Sequence, residues 1–203
     1  MIDDGTIGAA QTYVRACFAG DASGHDVHHT LRVWCSAVRI AAKEGADQRI
    51  VALAALLHDV DDHKLSPGTH ATLGNARAFM SAHGVADVEA EAVLTAIREV
   101  SFSENGATPP STLEAACVRD ADRLDAIGAI GIGRAFAFGG SHGRALHDPD
   151  GVDSATTIAH FYDKLLLLKG MMCTATGRAL AEERDAFMRQ FLDEFYAEWD
   201  GAR

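Results

Sequence analysis

Cations are scarce in this chain. Lysine and arginine number 18 against 29 aspartates and glutamates, and the formal net charge is -11. No basic stripe or Lys/Arg-rich run interrupts the acidic pattern. Tracking a nucleic-acid backbone needs many cationic contacts, which argues against a nucleic-acid polymer as partner. A small phosphate stays open, because a metal ion and a few local cations suffice to hold it. Cysteines are few as well. Cys17, Cys35, Cys117 and Cys173 are widely spaced and form no C-x-x-C pair. That argues against a disulfide framework and a Cys-type zinc site, and for reduced thiols in the cytoplasm. Long apolar runs are missing. The longest, Ile50–Leu57, falls far below the ~18 residues that span a bilayer. Met1-Ile2-Asp3-Asp4 lacks the basic region and apolar stretch of a signal peptide. No membrane association is expected.

Strand-like alternation is also lacking, as are repeats and low-complexity tracts. What remains is apolar spacing at three and four residues with abundant alanine, which predicts an all-α fold. Helices are expected near 6–19, 26–44, 47–60, 69–83, 86–101, 111–127, 128–138, 153–169 and 175–199. Gly45 and Asp47 suit a helix end followed by an N-cap. His83-Gly84 suits another end. Ser103–Pro110 and Gly139–Val152 read as loops. The aromatic positions from Phe187 to Trp199 have helical spacing and read as core. The length suits one sizeable core, and no linker divides the chain, so a single domain over 1–203 with roughly nine helices is expected.

Three stretches concentrate ionisable groups. In Leu53-Ala54-Ala55-Leu56-Leu57-His58-Asp59-Val60-Asp61-Asp62-His63-Lys64, an apolar helix surface ends abruptly in charge. Such a lead-in places His58 and Asp59 at the edge of a core. Neighbours on a helix point about 100° apart, so the pair shares one ion only with a favourable rotamer. Asp61 and Asp62 also suit a solvated helix end. Upstream, His29 and Arg32 are i,i+3 neighbours, which suits a metal ligand beside a phosphate-binding cation. Arg32 equally suits a surface ion pair, and His25 with His29 is a second chelating spacing. Downstream, Asp122 and Asp125 share a face, while Asp120 points elsewhere and could accept from a ligand histidine. A second His-Asp pair, His147-Asp148, precedes Pro149 in a loop-like stretch and reads as a decoy. Gly128, Gly131 and Gly133 resemble a dinucleotide loop only in part. Close approach of helices accounts for them better.

The order His, His-Asp, Asp over three helices resembles the HD-domain phosphohydrolase superfamily, and within it bacterial proteins of the YpgQ/YedJ type. The matching pieces are Gly24-His25-Asp26…His29-x-x-Arg32-Val33, Ala55–Asp62 and Asp120–Gly131, with His160–Leu165 and Thr176–Ala181 also family-like. The resemblance implies an HD-domain helical fold, with a metal-binding core near 20–130 and a C-terminal helical extension over 131–203. It implies one divalent ion held by His29, His58, Asp59 and Asp122. Asp122 is preferred to Asp120 because Ala121-Asp122-Arg123-Leu124 resembles the metal-binding segment of stringent-response nucleotide hydrolases.

Two imidazoles and two carboxylates suit a transition metal better than an all-oxygen calcium site. Mn(II) is the first choice, with Fe(II), Co(II), Ni(II), Zn(II) or Mg(II) as alternatives. Asp62 is the expected base that orients or deprotonates water, an acidic residue at a matching offset in the stringent-response hydrolases. Arg32, Lys64 and Arg123 are expected to hold substrate phosphates, with Lys164 a weaker candidate. The expected activity is hydrolysis of a small phosphorylated compound, a nucleotide first, with cleavage of a nucleoside triphosphate to monophosphate and pyrophosphate implied by the nearer relatives. Two other readings remain. One is a di-iron oxygenase using His63, His70 or His83 for a second metal. The other is a non-catalytic nucleotide sensor. Homo-oligomers are compatible with the helical surfaces, but no heptad specifies one.

Overall fold

The structure is a computed structural model that describes residues 1–19, 27–63, 65–101, 108–153 and 155–203. His25 and Lys64 lie outside the described residues, as does most of the expected Ser103–Pro110 loop. The fold is all-α: among the described residues there are nine α-helices and no strand. Two compact units divide the chain, Met1–Asp122 and Arg123–Arg203. No helix among the described residues is long and apolar enough to cross a membrane.

The first unit is organised around a buried helix. Helix α1 covers Asp4–Cys17, α2 covers Val27–Glu44 and α3 covers Gln48–Leu57. Every residue of α3 from Val51 to Leu57 is buried. An all-round apolar helix must sit in a core, and α1, α2 and α5 (Asp87–Val100) all pack on this one. Each fully buried leucine contributes ~1.5–3 kcal/mol. Asp47 caps α3 through Oδ1, which accepts from the Arg49 and Ile50 amides at 2.9 and 3.3 Å. Gly45, at φ 81°, closes α2 in the left-handed conformation that favours glycine, as the sequence suggests. Helix α6 covers Leu113–Asp125. Its Arg119 is 2% exposed and donates to the backbone carbonyls of Glu99 and Thr108, both at 2.6 Å.

Two expected helices are interrupted. The stretch 69–83 divides into a short 3-10 turn, His70–Thr72, and helix α4, Gly74–Ala82. Between them Leu73 adopts φ 53°, ψ 45°, which costs a β-carbon-bearing residue ~1–2 kcal/mol. The start of α4 is fixed from outside the helix, by Asp61, and a continuous helix from 69 would not meet it. In the second unit, 153–169 divides at Lys164 into α8, Thr157–Asp163, and a 3-10 segment, Leu165–Met171. Three residues per turn put Leu165 and Leu168 on one side, and both are buried while Leu167 is exposed.

The second unit is otherwise built by α7 (Gly128–Ser141) and α9 (Ala175–Trp199). Phe136, Phe161, Phe191 and Phe195 form its aromatic cluster, with ring centroids 5.9–6.4 Å apart. Phe187 and Trp199, expected in the core, are exposed: the cluster draws on Phe191 and Phe195 of α9, while Phe187 near the middle of the helix and Trp199 at its end stay uncovered. Gly128 sits at φ 76° beneath the Arg184 stem, and a β-carbon on Gly131 would lie 2.2 Å from the Ala126 carbonyl oxygen. Gly128 and Gly131 therefore serve close packing, whereas a β-carbon on Gly133 would meet nothing within 4 Å. Helix α7 also runs past the expected loop start at Gly139, whose missing side chain admits Thr157. Arg144 lies over the Phe138 ring, 5.2 Å from its centroid.

Candidate metal centre

Three of the four expected ligands converge within the first unit. His29 comes from the first turns of α2, and His58 and Asp59 from the turn that ends α3. One donor atom from each lies within 4.8 Å of the others. His29 Nε2 is 3.5 Å from Asp59 Oδ2, and His58 Nε2 is 3.2 Å from the same oxygen. Asp122, in the last turns of α6, reaches the group through His29, with Oδ1 3.4 Å from Nε2. The helix ends before Asp59, earlier than its expected end at 60. The Val60 and Asp62 amides donate three residues back, to the carbonyls of Leu57 and Asp59 at 3.3 and 3.0 Å. That turn frees the two adjacent side chains from helical spacing, so His58 and Asp59 can face one point.

The chemistry of the donors fits a cation. His58 Nδ1 lies 2.8 Å from the Ala55 carbonyl oxygen, which can only accept. Nδ1 therefore carries the proton, and neutral His58 presents the Nε2 lone pair. That atom is buried and makes no well-aligned hydrogen bond, its near neighbour being Asp59 Oδ2 at 3.2 Å. A buried nitrogen so placed is poorly satisfied, and an ion beside two imidazoles and a carboxylate would satisfy it. The electrostatics agree. Burial opposes charge on His58, yet the neighbouring Asp59 and then Asp122 outweigh it and raise the imidazole above its ordinary range. Burial likewise opposes charge on Asp122, yet the hydrogen bond and charge of His29, with His58 behind it, hold its carboxyl below the usual range. The cluster favours positive charge between its carboxylates.

The other candidates are placed as follows. Arg32 is half-buried on α2, three residues beyond His29. Asp62 stands in the same turn as Asp59, with His63 Nδ1 3.6 Å from its Oδ2. Arg123 and Lys164 belong to the second unit. Arg123 is buried and its Nη1 donates to the Met171 carbonyl, a structural engagement that weakens its claim on a phosphate. Lys164 is exposed at the break after α8. Among the described residues no second cluster of three ligating groups forms. His70 and His83 each direct Nδ1 to a backbone carbonyl, of Asp61 and Phe79, both at 2.8 Å.

Asp61 was the residue the sequence did not resolve. It is 2% exposed, not a solvated helix end. Its partners lie 14 and 15 residues downstream, at Asn75 and Ala76. The weak local signal was that Gly74-Asn75 begins a helix with no capping Ser, Thr or Asp before it in position.

Comparison with known proteins follows the same lines. The HD-domain family model matches residues 26–127. The Bacillus subtilis protein YpgQ is 44% identical over 184 residues, covering 90% of this chain and 88% of its own. A crystal structure of an HD-superfamily hydrolase from Bacillus thuringiensis superposes with a TM-score of 0.83 at 38% identity, covering 97% of each chain. The structure of Bacillus subtilis YpgQ in complex with ADP superposes with a TM-score of 0.81 at 38% identity, covering 95% of this chain and 97% of that one.

Proposed function

This chain belongs to the HD-domain family, and from that membership we propose that it is a metal-dependent phosphohydrolase of small phosphorylated compounds, nucleotides first. The observation that carries the reading is the cluster of His29, His58 and Asp59, with the buried His58 Nε2 facing Asp59 Oδ2 at 3.2 Å. The nucleotide preference draws on the ADP complex of YpgQ. The bond proposed to break is the one that divides a nucleoside triphosphate into monophosphate and pyrophosphate.

His29, His58, Asp59 and Asp122 would hold the ion, with Mn(II) the first choice. When bound, a divalent cation supplies Lewis acidity that polarises a phosphoryl oxygen and acidifies water. The chain's own residues do the rest. Asp62, in the turn with Asp59, is the proposed base that orients water or takes its proton. Arg32, Lys64, Arg123 and Lys164 are the cations proposed for substrate phosphates. Arg32 has the first claim because it shares α2 with His29, and Arg123 has the least because Met171 already engages it. Burial of the histidines keeps bulk water from competing for the donor atoms.

The test is direct. Protein reconstituted with Mn(II), Co(II), Ni(II) or Mg(II) is incubated with a nucleotide panel and a generic phosphodiester, beside Asp59→Ala. Metal-dependent release of pyrophosphate or phosphate that vanishes in the variant supports the reading and identifies the bond. Equal turnover by both proteins under every metal removes it.

A further inference from the structure

We propose that Asp61 is a positioning residue for the divalent ion: it locks the turn that carries His58 and Asp59 onto the amino-terminal end of α4. The inference rests on the metal-dependent reading above and adds a residue outside the ligand set.

Asp61 is a carboxylate at 2% exposure, and its side-chain partners among the described residues are neutral backbone amides. Oδ1 accepts from Asn75 N at 3.0 Å and Oδ2 from Ala76 N at 2.9 Å. Those amides are among the first of α4, which no helix-terminal side chain of its own caps. A carboxylate there satisfies otherwise unpaired N–H groups and complements the helix dipole. Helix-capping residues normally sit just before their helix. This one lies two residues after a proposed metal ligand, so α4 and the ligand turn are fastened through one side chain.

The fastening is reinforced on both sides. The Asp61 carbonyl accepts from His70 Nδ1 at 2.8 Å. Asn75 Nδ2 reaches the Val60 carbonyl at 3.0 Å, Thr69 Oγ1 at 3.1 Å and Ser66 Oγ at 3.3 Å. On the other side of the pair, His58 is tied to Ala55. Asp59 is therefore bracketed by anchored neighbours, and its carbonyl accepts from the Asp62 amide at 3.0 Å. The left-handed Leu73 fits this picture, since the backbone there accepts an unfavourable conformation at the junction Asp61 sets.

Asp61→Asn keeps size and one acceptor but sets an amide donor against a backbone donor. Ion-stripped full-length wild type, Asp61→Asn, Asn75→Ala, Asp59→Ala and Met80→Ala are titrated with Mn(II) by calorimetry, with melting temperatures in parallel. Met80 is buried on α4 and touches none of these bonds, so its variant reports loss of stability alone. Asp61→Asn and Asn75→Ala are expected to weaken Mn(II) binding by about 10- to 100-fold at unchanged stoichiometry, the range for residues behind a ligand shell. Met80→Ala is expected to lower the melting temperature without that loss. If Asp61→Asn does not fold, Asn75→Ala decides by the same measure. Asp61→Asn (or Asn75→Ala in its place) binding like wild type, while Asp59→Ala does not bind, overturns the inference and leaves the metal reading standing. An equal loss in Met80→Ala also overturns it. Equal binding by wild type and Asp59→Ala overturns both.

Discussion

The dipeptide His-Asp occurs twice in this chain, at 58–59 and 147–148, and its surroundings make two different objects. His58 and Asp59 follow seven consecutive buried residues and converge with His29. His147 sits edge-on to three aromatic rings, Phe195, Tyr196 and Trp199, with centroids 5.1–6.1 Å away. Asp148 turns away to accept the backbone amides of Asp150 and Asp153. One pair joins a cluster that could hold a metal ion and the other holds a loop. The difference lies in the buried helix before the pair and the opposing histidine from another helix, not in the dipeptide.

Substitutions can sharpen or break that contrast. The largest expected effect is on turnover. Asp59→Ala should lower metal-dependent hydrolysis by more than about 100-fold, beyond what losses behind the ligand shell cost. Asp148→Ala should stay within about twofold, as surface changes do. Equal losses in a product-release assay would erase the distinction. Next comes metal-linked stability. Mn(II) at one hundred times its dissociation constant should stabilise wild type by about 2.7 kcal/mol. Melting curves should keep that shift in Asp148→Ala and lose it in Asp59→Ala. A smaller effect is expected at the loop. His147→Ala should cost about 1–2 kcal/mol in denaturant unfolding through lost aromatic contacts, with Mn(II) affinity unchanged.

The smallest effect is a pH signature. His58 is raised in the ion-free fold, so its stabilising contribution is complete below its ordinary value of 6.5 and fades as pH rises through the raised one. Asp148 is lowered, first by the Asp153 amide and against some burial. Its contribution is complete above the ordinary 3.8 and fades as pH falls through the lowered value. Melting temperatures of ion-free protein across pH should lose the alkaline slope in Asp59→Ala and the acid slope in Asp148→Asn. Slopes exchanged between the variants would contradict the assignment.

Much of this was legible before any coordinates. Apolar spacing gave the helices, because a buried stripe must repeat every three to four residues. The abrupt end of Leu53–Leu57 in charge marked His58-Asp59, and the loop-like context of His147-Asp148 marked it as different. Long-range polar ties stayed hidden. Nothing near residue 69 announces that Asp61 starts a helix at 74, so a single helix over 69–83 was the natural expectation. The break at Lys164 was hidden for another reason: a run of four leucines satisfies α and 3-10 spacing alike. Arg123 reads as an available cation because its carbonyl partner is remote in sequence.

The proton held on His58 Nδ1 by the Ala55 carbonyl makes filling the proposed site an exchange instead of an addition. In the ion-free fold Asp59 and then Asp122 favour a second proton on Nε2, which a cation held there would displace. Uptake of a metal at the proposed site would then acidify the medium. Its measured heat should vary with the ionisation enthalpy of the buffer, so that two buffers at one pH give different apparent enthalpies for a single affinity. An ion held at the proposed site would thus be lost as the surroundings acidify, through the same nitrogen proposed to hold it.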